Sequence, residues 1–331
     1  VKYFLCVVLC VSAFTLNGQI NDRIKLTVDS IGSNVASIGT LAATFNHKFK
    51  SDSDKVGAAY YWIAKNIVYD TQTYFSKKRK PTYNFKYKTQ EEKRRKMHKV
   101  DMRIADEAFK ERKAVARGFS IMFKRLCNNC GVECEIVAGS VKIKPKDIGR
   151  KAGRTNYFWN TVKINNKWFL VDVAMGAGSL NEKSKTFIPN YNETFYLTPP
   201  DYFFLNHYPK KEEWLYCDRN NEEFSALPLF YQSYVDADID LYLPTEGTIT
   251  SVSEDTLSIA FVHRNKNSTN ALPNDFSYAF EADRKAKVIP ADVKEDKVKL
   301  QIPMTKRRYD YLTIFLNSEA LVTFKVKTNT L

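Results

Sequence analysis

The sequence predicts an α+β domain followed by a separate all-β domain. Three observations carry this. Apolar residues recur at helical spacing between Ile24 and Cys130. β-rich runs joined by a two-residue turn follow, and beyond Asp236 the pattern changes to short alternating strands. At 331 residues the chain exceeds what one hydrophobic core usually organises, which favours two domains. Hydrophobic residues at 44% and aromatics at 14% exclude a chain disordered over long stretches.

The chain opens with Lys2 and an apolar run over residues 3–14. Spanning a bilayer takes about 20 residues, so this run reads as an export signal over residues 1–18, with small Gly18 at the cleavage site. Cys6 and Cys10 lie inside it without the lipobox that directs lipid attachment. The expected product is therefore soluble and secreted or periplasmic. No other stretch is long enough to cross a membrane.

In the first domain, residues 19–235, Ile24, Val28, Ile31, Val35, Ile38 and Phe45 form one helical stripe. Val56, Ala59, Tyr60, Ile63, Ala64 and Ile67 form a second, with Asp54 as its N-cap. Residues 71–99 are polar, basic and tyrosine-rich, which predicts an irregular insertion ending in a charged helix, and Ile104 and Ala108 then fit a short one. Phe119, Met122, Phe123, Leu126, Cys127 and Cys130 give a strong stripe, stopped by Gly131. Strands are expected over 133–143, 157–164 and 167–173, the last two joined by a turn at Asn165-Asn166. In the second domain, residues 236–331, seven runs read as strands: 238–243, 248–252, 256–262, 276–282, 297–302, 309–316 and 320–325. That number, with turn residues between, predicts a β-sandwich of immunoglobulin type.

Net charge is +14 and uneven. Residues 77–125 hold 18 Lys and Arg against 6 Asp and Glu, or 18 − 6 = +12. Such a segment attracts polyanions or an anionic surface, or serves as a solvated face. No nucleic-acid-binding motif accompanies it, so no nucleic-acid partner is expected. Signal removal leaves Cys127, Cys130, Cys134 and Cys217. Export permits disulfides, yet Cys127 and Cys130 share an apolar helical face, which favours burial. Cys127-x2-Cys130 has neither a second pair nor a nearby His, so no metal and no cofactor is expected.

Three segments, in order, resemble the transglutaminase-like superfamily, which has a papain-like thiol architecture. Trp62-Ile63-Ala64-Lys65-Asn66-Ile67-Val68-Tyr69-Asp70 is similar to the W-I-x-x-N-I-x-Y-D end of the family's leading helix. Val115-Ala116-Arg117-Gly118-Phe119-Ser120, running on to Gly131-Val132-Glu133-Cys134, resembles V-C-x-G-Y-A followed by G-I-x-C. Tyr157-Phe158-Trp159-Asn160-Thr161-Val162-Lys163-Ile164 and Lys167-Trp168-Phe169-Leu170-Val171-Asp172 resemble H-x-W-N-x-V-x-I and K-W-x-x-V-D. A fourth stretch, from Thr198-Pro199-Pro200 through His207-Tyr208-Pro209 to Trp214, is similar to one in the kyphoscoliosis-peptidase-like branch. The resemblance implies a papain-like transglutaminase core followed by the sandwich.

Carried over position by position, the resemblance puts the nucleophile at Ala116, the base at Tyr157 and the orienting acid at Asp172. A thiol mechanism needs a thiolate at a helix start beside an imidazole. Alanine has no nucleophilic atom, and a phenol with a pKa near 10 is a poor base at neutral pH. Cys127, eleven residues further along the helix, lies about 16 Å away at 1.5 Å per residue and does not substitute. Trp62, Trp159 and Trp168 are expected in the core. Trp159 and Asn160 are also candidates to line the old cleft, and Arg117 to hold an anion at the helix start. His207 is read as a packing histidine, and His47, His98 and His263 as surface residues.

The expectation is an exported, catalytically inactive protein binding a protein, peptide or cell-surface polymer such as an anionic polysaccharide. The alternatives are an enzyme with a relocated catalytic residue, for which Tyr157 and Asp172 are the suspects, and a polyanion-binding surface protein led by the basic segment.

Overall fold

Gly32 splits the first expected helix in two. With φ at 71° it ends α1 (Asp22–Ile31), and α2 (Ile38–Lys48) restarts behind Ser37, whose side chain accepts the Thr40 N–H. The computed structural model in which this is seen describes residues 18–76, 85–251, 256–265, 268, 271–294, 296–304 and 310–328. The expected export signal, Gly18 apart, lies outside the described residues, as does the 77–84 portion of the basic segment.

Helix α3 (Asp52–Asn66) is the spine of the first domain, with every residue from Val56 to Ala64 buried. Its N-cap is Ser51 and not Asp54. The Ser51 hydroxyl accepts the Asp54 N–H at 3.1 Å, while the Asp54 carboxylate takes Arg23. After α3 come β1 (Val68–Tyr69) and α4 (Thr71–Phe75). The charged helix expected at the end of the 71–99 insertion and the short helix expected at Ile104 and Ala108 are one helix of 22 residues, α5 (Gln90–Glu111). Thr89 caps it, and its polar first half hides it from an apolar-periodicity reading. β2 (Lys113–Ala114) pairs in parallel with β1 and leads into α6 (Ala116–Asn129), which packs on α2, α3 and α5.

The first domain's sheet has the order β8-β5-β4-β3-β9, built from β3 (Cys134–Val141), β4 (Tyr157–Ile164), β5 (Lys167–Val171), β8 (Tyr196–Thr198) and β9 (His207–Pro209). Asn165 and Asn166 have φ of 49° and 61°, the doubly left-handed turn that a two-residue hairpin requires. Between β5 and β8 lie α7 (Val173–Ala177) and the hairpin β6 (Gly178–Asn181) with β7 (Thr186–Pro189). Then α8 (Pro200–Phe204) precedes β9, and α9 (Asn221–Ala226) leads to the second domain.

The C-terminal region is a β-sandwich. One sheet holds β10 (Leu229–Phe230), β19 (Glu319–Thr328), β18 (Tyr311–Leu316), β14 (Phe276–Phe280) and β15 (Lys287–Ile289), with β12 (Thr248–Ser251) also on β19. The other has the order β11 (Ile239–Leu243), β13 (Thr256–His263), β17 (Lys297–Pro303), β16 (Ala291–Lys294). Ile259, Phe261 and Leu300 from one sheet share a core with Phe276, Ile314 and Phe324 from the other. Leu229 and Phe230, assigned by sequence to the first domain, join the sandwich as β10, and α10 (Gln232–Asp236) packs on β19.

The seam between the domains is polar and buried. Asn206 donates to the carbonyls of Lys142 and Phe230, at 2.9 and 3.0 Å. The Lys142 ammonium, 1% exposed, donates to the Phe224 and Leu227 carbonyls, each at 2.6 Å. Arg264 donates to the Val235, Tyr234 and Ile239 carbonyls and pairs with Asp240.

Candidate functional site

Helix α6 starts at Ala116, with no side chain capping it at Val115. Its first-turn amides need acceptors from elsewhere. Tyr69, fixed by the β1–β2 pairing, sets its hydroxyl toward the Ala116 amide, which favours the phenolate. Tyr69 also lies 6.1 Å, ring to ring, from Phe119 on the next turn.

Asp172 follows β5 and caps α7. Its Oδ1 accepts the Met175 N–H at 3.0 Å and faces the Tyr157 hydroxyl at 3.5 Å. Its Oδ2 lies 3.0 Å from Nε2 of His207. The other ring nitrogen of His207 is 3.3 Å from the Phe203 carbonyl, and the ring stacks on Phe203 with 4.0 Å between centroids. Trp159 meets the same ring edge-on at 5.1 Å. Asp172 and His207 are each 1% exposed, so this carboxylate–imidazole pair is shielded from water.

The phenols around the pair are electrostatically restrained. Burial, and then the Asp172 carboxylate, push the Tyr157 hydroxyl well above the usual tyrosine range. Burial does the same to Tyr69, against the Ala116 amide, which favours the phenolate. Both stay protonated at neutral pH, so neither is a ready base. Ala116 and Tyr157 are themselves buried, and the chain around Ala116 is filled by aromatic rings. A cleft of about 760 Å³ lies elsewhere, between residues of the 19–25 stretch and the loop around Glu193.

The structure thus brings Tyr157 and Asp172 together. It does not place Asn160 on a cleft wall, and Trp159 lines with His207 no more than a small cavity of about 10 Å³. Trp159 is 1% exposed, in contact with Phe203 and His207. Asn160 is 1% exposed and donates to the Ser120 and Glu135 carbonyls at 3.0 and 3.1 Å, stapling α6 to β3. Nor is Arg117 poised for an anion at the helix start, because Asp101 on α5 takes it at 3.1 Å. Cys127, Cys130 and Cys134 are buried free thiols and Cys217 is half-buried. Among the described residues no group of His, Cys, Asp and Glu is arranged to hold a metal ion, and no helix is long and apolar enough to cross a membrane.

Two residues escaped the sequence reading. His207 stands in the 198–209 stretch, whose pattern reads as packing, and its partner, 35 residues away, leaves no trace in local spacing. Tyr69 stands within the W-I-x-x-N-I-x-Y-D segment, where only its contact with Ala116 reveals its place.

A helix start, a two-stranded hairpin and an aspartate closing the next strand stand in the order of a transglutaminase-like domain. Residues 39–173 match the model of the transglutaminase-like superfamily, and the chain is similar to kyphoscoliosis peptidases. It is 26% identical to mouse kyphoscoliosis peptidase over 180 residues, covering 54% of this chain and 24% of that protein. Against human kyphoscoliosis peptidase it is 27% identical over 165 residues, 50% of this chain and 22% of the relative. Drosophila melanogaster hillarin is 29% identical over 124 residues, 33% of this chain and 15% of hillarin. The chain therefore matches about a quarter or less of the length of these relatives.

Proposed function

We propose that this is an exported, catalytically silent transglutaminase-like protein that acts by binding a protein, peptide or cell-surface polymer. The observation that supports this most is the α6 start: Ala116 stands at the position matched to the nucleophile, and a buried phenol, Tyr69, faces its amide. Tyr157, at the position matched to the base, is protonated and locked against Asp172. The test is turnover by the mature protein with an amine donor plus glutamine peptides, and with peptide substrates alone. No turnover is expected from the wild type or from Ala116→Cys alone, since a new thiol would meet no imidazole. Wild-type turnover abolished by replacing Cys127 or Cys134 would overturn the reading.

One observation favours the enzyme alternative, namely an imidazole already on Asp172. His207 reaches the acid from a different strand than the one that carries Tyr157. Both of its nitrogens are engaged and it is 1% exposed, which leaves no path for substrate. Activity in the wild type that is lost in both Tyr157→Phe and His207→Gln would select this alternative.

A further inference from the structure

We infer that the projecting first half of α5 is a docking element for a linear anionic polysaccharide. None of residues 90–99 is buried, and the first buried position of the helix is Val100. About 15 Å of helix, at 1.5 Å per residue, therefore stands clear of the core. Isolated polar helices of this length are marginal in water. This one is fastened by its own side chains: the Thr89 hydroxyl accepts the Glu92 N–H, the Glu92 carboxylate accepts the Lys88 N–H at 2.7 Å, and Lys96 bridges Glu92 and the Lys86 carbonyl, each at 2.8 Å. Its base is pinned by Asp101 to Arg117 and by Asp106 to Arg125. A rigid rod results, built without an apolar face.

The charge on that rod is directed. Four-residue steps put Arg95, Lys99 and Arg103 in one row, about 6 Å apart along the axis, on the side away from Val100, Ala105 and Ala108. All three are exposed. Of the three, Arg95 lies near Glu92 and Arg103 lies 3.8 Å from Glu107, and the latter pair is more than 60% exposed on both sides, too solvated to neutralise the row. Arg94 and the exposed Lys86, Lys88 and Lys93 surround it. A row of cations, as opposed to a cluster around a hollow, suits the repeating sulfates or carboxylates of an extended polymer. A membrane is disfavoured because the row carries no apolar side chain to enter the headgroup layer. Nucleic acid is disfavoured because the row has no aromatic ring to stack on bases, and neighbouring Tyr87, 42% exposed, already carries the Lys93 ammonium 4.9 Å from its centroid. This surface is independent of whether the Asp172 centre is catalytic.

The test uses the full mature chain and heparin as the probe, with binding measured from low to high salt. Binding should weaken roughly tenfold or more over a several-fold rise in salt, because the contact is between solvated charges. The triple variant R95S/K99S/R103S should weaken binding at low salt by roughly tenfold, while K285S/K299S/K327S, which removes the same charge from the sandwich, should change it by less than about twofold. Circular dichroism should show both variants folded, since all six positions are exposed. Equal losses in the two variants, or none in the first, would overturn the proposal. So would binding of duplex DNA or phosphatidylserine vesicles as tight as that of heparin at the same salt.

Discussion

His207 holds Asp172 from across the sheet: its Nε2 stands 3.0 Å from Oδ2 although β3 and β4 separate β9 from the strand that Asp172 follows. The contact ties the sheet edge nearest the domain seam to the cap of α7 and to the hydroxyl of Tyr157. Removing one member of a buried pair leaves the other charge or dipole unmatched, which costs about 3–5 kcal/mol. His207→Ala should therefore lower unfolding free energy by about 3 kcal/mol or more in urea titration, with the m-value unchanged. A loss below about 1 kcal/mol would mean that water or a shifted Tyr157 replaces the imidazole.

The Tyr69 hydroxyl serves the other side of the centre. It faces the Ala116 amide, one of those that α6 leaves without an intrahelical partner. Tyr69→Phe keeps the ring against Phe119 and Phe187 and deletes the acceptor. The expected cost is about 1–2 kcal/mol, the usual range for orphaning a buried donor. Amide hydrogen exchange at Ala116 should speed up relative to the interior of α6. An unchanged rate would show that the amide finds another acceptor.

The parts of this molecule that were legible in sequence are those governed by local rules. The α6 stripe from Phe119 to Cys130 and the stop at Gly131 follow from burial on one face and a left-handed residue, φ 80°. The Asn165-Asn166 hairpin follows from turn chemistry, and the seven sandwich runs from alternation. What was not legible depends on long-range contact or on an absent apolar signal. β15 and β16 are short edge strands with Val288 and Val293 exposed, so their patterns do not alternate with burial. The first half of α5 buries nothing. At the centre, the Tyr157–Asp172 contact was foreseeable by analogy, but Asn160 and Trp159 face inward because β4 is covered on both sides, and no spacing rule distinguishes that from a cleft wall.

The thiols should be inert in the folded protein. Burial pushes the Cys127 thiol well up, with Cys134 and Cys130 adding to the effect, and pushes Cys130 and Cys217 up to about 11. The reactive species is the thiolate, and a thiol near 11 is ionised only about one part in a thousand at pH 8, against roughly a quarter for an ordinary one near 8.5. Native labelling with iodoacetamide at about pH 8 should thus be at least a hundredfold slower than in urea at Cys127, Cys130 and Cys217. Mass spectrometry of the labelled peptides reads this directly. Rapid native labelling at Cys127 would contradict its place in the core.

Lys142 offers the clearest pH signature. Burial lowers its amine from 10.5 to about 8, with Asp147 opposing the shift. Below about 8 the amine is charged in folded and unfolded chains alike, and the burial cost is fully present. Between about 8 and 10.5 the unfolded chain holds a proton that the folded one has released, so stability rises with pH across this window and gains nothing more above it. The gap amounts to about 3 kcal/mol. The carbonyls of Phe224 and Leu227, at 2.6 Å, favour the charged form and offset part of this cost. In Lys142→Met those carbonyls lose their donor, so the variant is less stable than wild type throughout, and it lacks this titration. The difference in unfolding free energy between wild type and variant should accordingly widen by about 1–3 kcal/mol from pH 7 to pH 10 in urea. A difference that stays flat across the window would show that the two carbonyls compensate the buried ammonium completely, and that Lys142 is charged in the seam at every pH where the protein folds.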